Sequence, residues 1–450
     1  MSFSGIDKSS CKLPNVTFTV SAPMNPQSNK KYAIAISCII NKGFSKGREV
    51  FWVILMPLSA DKCHRRLLLV ESRKILQVIG VKIDRKAKNF VDVRNQERKK
   101  RSEHRMSDEM EMIRNAGYPA EAHVVLTEDG YFLTIHRIPG GKNSPLVFLQ
   151  HGLLCSSADW VVIGKNKALP FKLADQGYDV WLGNFRGNTY SRAHISLSPS
   201  DPKFWDFSFD EMGTYDLPAM LSYITNLTSE PLLTYIGYSM GTTSFYVMAI
   251  KRPEIANMVK VMISLAPVVF LGNTTNPLRL FIPFSSDEYL MKLECDGDLF
   301  QKQICRNIVL LISGFSTEHI NYTLLPKILT HFPSSTSFNA VAHFVQEIKS
   351  GKFRAYDYGR EKNIQIYNAT VPPDYDLSRI TTPIALIHSD SDSFVNEKDL
   401  KILRGLLTNI VEDYRVPFPK FNHVDFLYAK NAPTLVYKKV LEIMKKEVNY

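Results

Sequence analysis

The stretch Leu232-Leu233-Thr234-Tyr235-Ile236-Gly237-Tyr238-Ser239-Met240-Gly241-Thr242-Thr243-Ser244 constrains the fold of this chain more than any other. It opens as a short apolar, β-branched and aromatic run after Pro231, the pattern of a strand buried on both faces. It then passes through Gly-x-Ser-x-Gly into Thr242 to Ile250, a segment with helical spacing. Strand, tight turn and helix in that order form a nucleophile elbow, which holds a serine hydroxyl out at a strained turn. Gly237 and Gly241 stand where a Cβ would meet neighbouring backbone. The bare pattern arises by chance in about one chain in seven of this length, so its setting has to decide. A serine hydroxyl is a weak nucleophile until a histidine takes its proton and an acid orients that histidine. On such a scaffold the acid and the histidine follow the serine in chain order.

The chain after residue 107 supplies the scaffold. Ser107-Asp108-Glu109-Met110 reads as a capped helix start, and His123 to Thr127 with Tyr131 to Ile138 as a hairpin around Glu128-Asp129-Gly130. Strands are expected at Pro145 to Gln150, Tyr178 to Leu182, the elbow, Val259 to Ala266, Pro383 to His388 and Val411 to Val416. Helices are expected from about Asp210 to Ile224, Glu397 to Leu407 and Pro433 to Lys446. Strands alternating with helices argue for an α/β, doubly wound, mostly parallel sheet. Residues 268–380 break this rhythm with helical patterns alone and read as a helical cap inserted into a core of residues 108–267 and 381–450.

Charge separates the leader from the rest. The whole chain carries +11, but residues 1–107 hold 22 Lys and Arg against 8 Asp and Glu, a net of +14, which leaves the remainder at −3. The basic character belongs to the leader, so a nucleic-acid reading of the whole protein has little support. The leader is expected to be largely disordered, with a basic linker from Lys82 to Arg105. Its start has no charged region followed by an apolar core, so no N-terminal signal peptide is visible. The signal-like run Phe51 to Ala60 lies inside the chain. No apolar run reaches the roughly 20 residues of a membrane span. The six cysteines, Cys11, Cys38, Cys63, Cys155, Cys295 and Cys305, show no Cys-x-x-Cys spacing, which argues against structural zinc. Five Asn-x-Ser/Thr sites, at Asn15, Asn226, Asn273, Asn321 and Asn368, permit passage through a secretory compartment.

Candidate partners for Ser239 fall where open α/β sheets build their sites, after the C-terminal ends of strands. An acid follows the late strand at Asp390 or Asp392, and His423 follows the last strand, giving the order Ser, Asp, His. His151 is read as shaping the loop after its strand, Arg186 as bracing the loop it stands on, and Cys155 as a buried thiol.

Further segments carry a resemblance. Asn115-Ala116-Gly117-Tyr118-Pro119, Leu149-Gln150-His151-Gly152-Leu153-Leu154, Asp179-Val180-Trp181-Leu182-Gly183-Asn184, Phe207-Ser208-Phe209-Asp210-Glu211-Met212 and Asn422-His423-Val424-Asp425-Phe426 are similar to motifs of the acid lipase family of α/β-hydrolases. That family includes gastric and lysosomal acid lipases and many insect lipases, and the resemblance runs from about residue 108 to 447. It implies an α/β-hydrolase fold, Ser239 as nucleophile, Asp392 rather than Asp390 as orienting acid, and His423 as base. It assigns an oxyanion hole to the backbone N–H groups of Leu153 and Met240, and suggests a Cys295–Cys305 disulfide in the cap. The implied function is hydrolysis of lipid esters, triacylglycerols or sterol esters, through an acyl-enzyme. No metal or organic cofactor, no nucleic acid and a monomeric chain are expected, in a secreted or lysosomal setting. A carboxylesterase for soluble short-chain esters and a catalytically silent lipid carrier are the alternatives. Ile304, Ile308, Leu311 and Ile312 share a helical face in the cap, which is expected to act as a lid facing lipid.

Overall fold

Runs of β-branched and aromatic residues form the strands of this protein, and buried strands stay apolar on both faces. A computed structural model describes residues 10–13, 16–21, 35–40, 50–54, 108–230, 232–284 and 319–448. Four strands lie in the leader, β1 (Ser10–Leu13), β2 (Val16–Ser21), β3 (Ala35–Ile40) and β4 (Val50–Ile54), paired antiparallel in that order. These strands fall on short apolar and β-branched runs such as Val16-Thr17-Phe18-Thr19-Val20.

The second unit holds a nine-stranded sheet. Its strands are β5 (Glu121–Leu126), β6 (Tyr131–Ile138), β7 (Leu146–Gln150), β8 (Asp179–Leu182), β9 (Ala193–His194), β10 (Leu232–Tyr238), β11 (Val261–Leu265), β12 (Ile384–His388) and β13 (Ile410–Arg415). They are ordered β13-β12-β11-β10-β7-β8-β6-β5, with β9 on β6. From β13 to β8 every pairing is parallel. The β5–β6 hairpin adds an antiparallel edge. Strands β7, β8, β11 and β12 are buried throughout, whereas β13 at the far edge alternates between half-buried and exposed. This is the burial expected of a parallel sheet covered by helices on both faces.

The main helices are α1 (Leu217–Thr228), α2 (Met240–Lys251), α3 (Phe338–Ser350), α4 (Glu397–Leu406) and α5 (Lys438–Val448). Residues 240–250 of α2 are all buried, so the helix after the elbow is enclosed on every side. The helix expected at Asp210 begins with a capping box between Ser208 and Glu211, then widens into a π-turn over Met212–Asp216 before α1. Pro218 has no N–H to give the Thr214 carbonyl, and the Arg252 guanidinium takes that carbonyl instead at 3.3 Å.

Between β11 and β12 the described residues form helices and turns, including Pro277–Phe284, Leu325–His331, α3 and Arg360–Tyr367, and add no strand to the sheet. The cap residues Cys295, Cys305, Ile304, Ile308, Leu311 and Ile312 lie outside the described residues. No helix among the described residues is long and apolar enough to cross a membrane.

Candidate active site

Strand β10 ends at Tyr238, and the next residue turns the chain sharply. Ser239 has φ +54 and ψ −120, a conformation that costs a non-glycine residue about 1–3 kcal/mol and persists only under surrounding packing. The flanking glycines permit it. A Cβ on Gly241 would stand 2.4 Å from the Gln150 carbonyl oxygen, and one on Gly237 2.9 Å from the Gly241 backbone. A third glycine completes the set, because a Cβ on Gly152 would stand 2.9 Å from the Ser239 Cβ. The loop after β7 therefore lies directly against the elbow.

Around Ser239 two more side chains converge. Its Oγ–H donates to His423 Nε2 at 2.8 Å, and His423 Nδ1–H donates to Asp392 Oδ2 at 2.7 Å. Asp392 also accepts the N–H groups of Phe394 at 2.9 Å and Val395 at 3.2 Å through Oδ1. All three residues are at least nine-tenths buried. Asp390, the other acid after β12, points out to solvent and pairs with Arg415 of β13. A carboxylate on Nδ1 fixes the histidine tautomer and leaves Nε2 to accept the serine proton.

The residues expected to supply the two N–H donors are the next one in the chain and one on the loop packed against the elbow. Met240 is the first residue of α2, where a backbone N–H has no intrahelical acceptor. Leu153 follows Gly152 on the apposed loop, and Leu154 takes φ +60 to complete the turn. A cleft opens above Ser239 and His423, with walls including Leu153, Leu154, Phe332, Phe394, Val424 and Leu427.

Residues 110–164 match the family described as "Partial alpha/beta-hydrolase lipase region", and residues 145–293 match "alpha/beta hydrolase fold". The chain is 40% identical to Lipase 1 of Drosophila melanogaster, over 74% of this chain and 79% of that protein. It is 37% identical to gastric triacylglycerol lipase of Bos taurus, over 75% of this chain and 91% of that one. Lysosomal acid lipase/cholesteryl ester hydrolase of Macaca fascicularis is 37% identical, over 75% and 90%. The chain belongs to the acid lipase family of α/β-hydrolases.

In this family member the contacts behind Ser239, His423 and Asp392 explain how the loops hold their places. His151 Nδ1–H donates to the Gly152 carbonyl at 2.8 Å, while Nε2 accepts the Phe185 N–H at 3.2 Å and the Asn188 amide at 3.1 Å. Burial lowers its pKa to about 4, so the ring is neutral and braces the loop before Leu153. Arg186 is buried, paired with Asp216 at 2.7 Å and Asp129 at 2.5 Å, and lies 4.1 Å over the Tyr131 ring. Burial alone would lower its pKa, but the two carboxylates outweigh it and push it up. The hairpin turn, the π-turn and the loop after β8 thus meet on one guanidinium.

Cys155 borders the cleft and is buried, and burial pushes its thiol well above the ordinary range, which suits an inert thiol. Trp160 is buried away from the cleft wall, with its ring edge-on to Tyr238 at 6.3 Å. Several contacts had no signal in the sequence. Tyr238 packs against the His423 ring and also donates its phenol to the His423 carbonyl at 3.0 Å, across 185 residues. Phe394 lies with its ring 4.6 Å from that of His423. Asp159, fully buried, accepts the Tyr428 phenol and the Ser156 N–H, both at 2.6 Å. An Asp three residues past Ser156 looks like an ordinary helix start, so only the distant Tyr428 marks it out.

Proposed function

We propose that this protein hydrolyses carboxylic esters of lipids, triacylglycerols or sterol esters, with Ser239 as nucleophile, His423 as general base and acid, and Asp392 as the orienting acid. The observation that carries the proposal is the continuous line Ser239 Oγ–His423 Nε2 at 2.8 Å and His423 Nδ1–Asp392 Oδ2 at 2.7 Å, beneath a largely apolar cleft. Relatives named triacylglycerol lipase and cholesteryl ester hydrolase over three quarters of the chain support the substrate class.

Ser239 Oγ attacks the ester carbonyl carbon as its proton passes to His423 Nε2. Asp392 stabilises the imidazolium and keeps the ring aligned. Negative charge gathers on the former carbonyl oxygen, where the Leu153 and Met240 N–H groups donate to it. Collapse of the tetrahedral species breaks the bond to the alcohol oxygen, which leaves with the proton from Nε2. Water then attacks the acyl-serine, giving its proton to Nε2, and a second collapse releases the fatty acid and returns that proton to Ser239. The apolar walls suit an acyl chain, whose burial contributes about 0.8 kcal/mol per methylene.

The names gastric and lysosomal among the relatives support a secreted or lysosomal setting, and the chain is proposed to act as a monomer. The helical spacing of Ile304, Ile308, Leu311 and Ile312 in the sequence supports a cap that acts as a lid toward aggregated lipid. A panel of triolein, cholesteryl oleate and a short-chain nitrophenyl ester, with Ser239→Ala as control, tests the reading. Turnover of at least one long-chain lipid ester, abolished in the control, is expected. Turnover of the soluble ester alone would make the protein a carboxylesterase.

A further inference from the structure

His423 stands at the tip of a short turn whose closure draws on the inserted segment between β11 and β12. Asn422 Oδ1 accepts the N–H groups of Val424 and Asp425, both at 3.2 Å, and Asp425 Oδ2 accepts the Asn422 N–H at 2.8 Å. The two side chains that flank His423 thus bind each other's backbone. Asp425 is fully buried, and the same Oδ2 accepts His319 Nδ1–H at 2.8 Å. His319 comes from the insertion, 106 residues earlier in the chain. Its carbonyl accepts the Lys430 N–H at 3.0 Å, its neighbour Ile320 bridges Ala429, and its ring stands edge-on to Phe418. His319 therefore holds the turn by its side chain and, by its carbonyl, the chain just beyond the helical turn Asp425–Tyr428 that follows.

The other restraints on His423 come from elsewhere. Asp392 holds the ring nitrogen, Phe394 packs on the ring, and Tyr238 binds the carbonyl. Of these only Tyr238 touches the backbone, at one carbonyl, whereas the hydrogen bonds that close the turn itself run through Asn422 and Asp425. We propose that His319, acting through Asp425, is a positioning residue for His423, so that the inserted segment sets the geometry of the catalytic base. The inference rests on the reading of His423 as that base. A bent or shifted turn moves Nε2 relative to Ser239 Oγ, and misplacement by about 1 Å can reduce rate about 100-fold. Burial pushes the Asp425 carboxyl above its usual range, whereas the Asn422 N–H and His319 act the other way.

The test uses the full-length protein and a soluble nitrophenyl butyrate, with active serines counted by stoichiometric reaction with diethyl p-nitrophenyl phosphate. His319→Ala is expected to lower kcat per active serine about 10- to 100-fold, with KM within about twofold of wild type. His319→Asn keeps a donor near the place of Nδ1 and is expected to recover most of that loss. Should His319→Ala yield no folded protein, His319→Gln keeps the bulk but carries the donor past Asp425, and its kcat is expected to fall at least about fivefold. Asp425→Ala added to His319→Ala is expected to lower kcat no further than the worse single change, because both break one link. An unchanged kcat per active serine in His319→Ala, or in His319→Gln where that is the variant measured, would overturn the inference while leaving the triad reading intact. Wild-type activity in Ser239→Ala would overturn both.

Discussion

At the scale of single residues, charge and proton placement decide what the site can do. Asp392 has its oxygens shared among His423 Nδ1 and two backbone N–H groups, while Asp390 faces solvent beside Arg415. Ser239→Ala and His423→Ala are each expected to lower kcat by up to about 10⁶, as coupled triads do, and Asp392→Ala by less. Asp390→Ala should leave kcat within about threefold, since its Arg415 partner lies on the exposed edge and surface pairs contribute little. Steady-state kinetics on one ester would reverse the assignment if Asp390→Ala proved the more damaging. Asp159 makes a separate pH prediction. Burial pushes its carboxyl up to about 6, against the Tyr428 phenol and the Ser156 N–H, which favour the ionised form. The folded state therefore holds a proton that an unfolded chain with an ordinary Asp pKa near 3.9 releases. Stability from this group is complete below about pH 4 and is lost as pH rises through about 6, a change of up to about 3 kcal/mol. Urea unfolding at pH 4 and pH 6.5 should show wild type losing that much more stability than Asp159→Asn across the interval. Equal losses would mean Asp159 is ionised throughout.

The elements matter through how closely they approach. Strand β10, helix α2 and the loop after β7 come together with no space for a methyl group at Gly241. The atoms in the way are the backbone oxygens of Gln150 and His151, which cannot rotate aside as a side chain could. Gly241→Ala must therefore push the loop carrying Leu153 away from the elbow. The expected outcome is a loss of about 1–3 kcal/mol in stability and a larger proportional fall in kcat than in substrate affinity. Chemical denaturation together with kcat and KM would check it, and an unaffected kcat would show that the Leu153 N–H is not needed. Arg186 works at the same scale, because Asp129, Asp216 and its own loop belong to three different elements.

For the whole molecule, the inserted segment between β11 and β12 is the feature that ester hydrolysis alone does not require. Its described part reaches the His423 loop through His319 and borders the cleft through Phe332. Cys295 and Cys305 belong to the same insertion, and a disulfide between them would close a short loop there. Peptide mapping of unreduced protein from a secretory host is expected to find Cys295 linked to Cys305. Cys155, buried and with its thiol pushed well up, is expected to alkylate only after unfolding. Two free thiols at Cys295 and Cys305, or rapid alkylation of Cys155 in the folded protein, would contradict these expectations.

Most of the scaffold could be read in the sequence because burial in a parallel sheet leaves a local signature. The apolar runs Val259 to Ala266 and Pro383 to His388 became strands β11 and β12, with no end moved by more than two residues. The elbow was legible for the same reason, since its strained turn demands small residues within five positions of the chain. The order of serine, acid and histidine was legible too, as a list of candidates after strand ends. What the residues alone left open was which candidates meet. Asp390 and Asp392 are two positions apart and chemically identical, and only the path of the loop after β12 turns one to His423 and the other to Arg415. The contacts of Asp425 with His319 and of Tyr238 with His423 span 106 and 185 residues. No local pattern encodes such a pairing, because each partner satisfies its own neighbourhood without it. Convergence across that distance is a property of packing, and only the tertiary structure decided it.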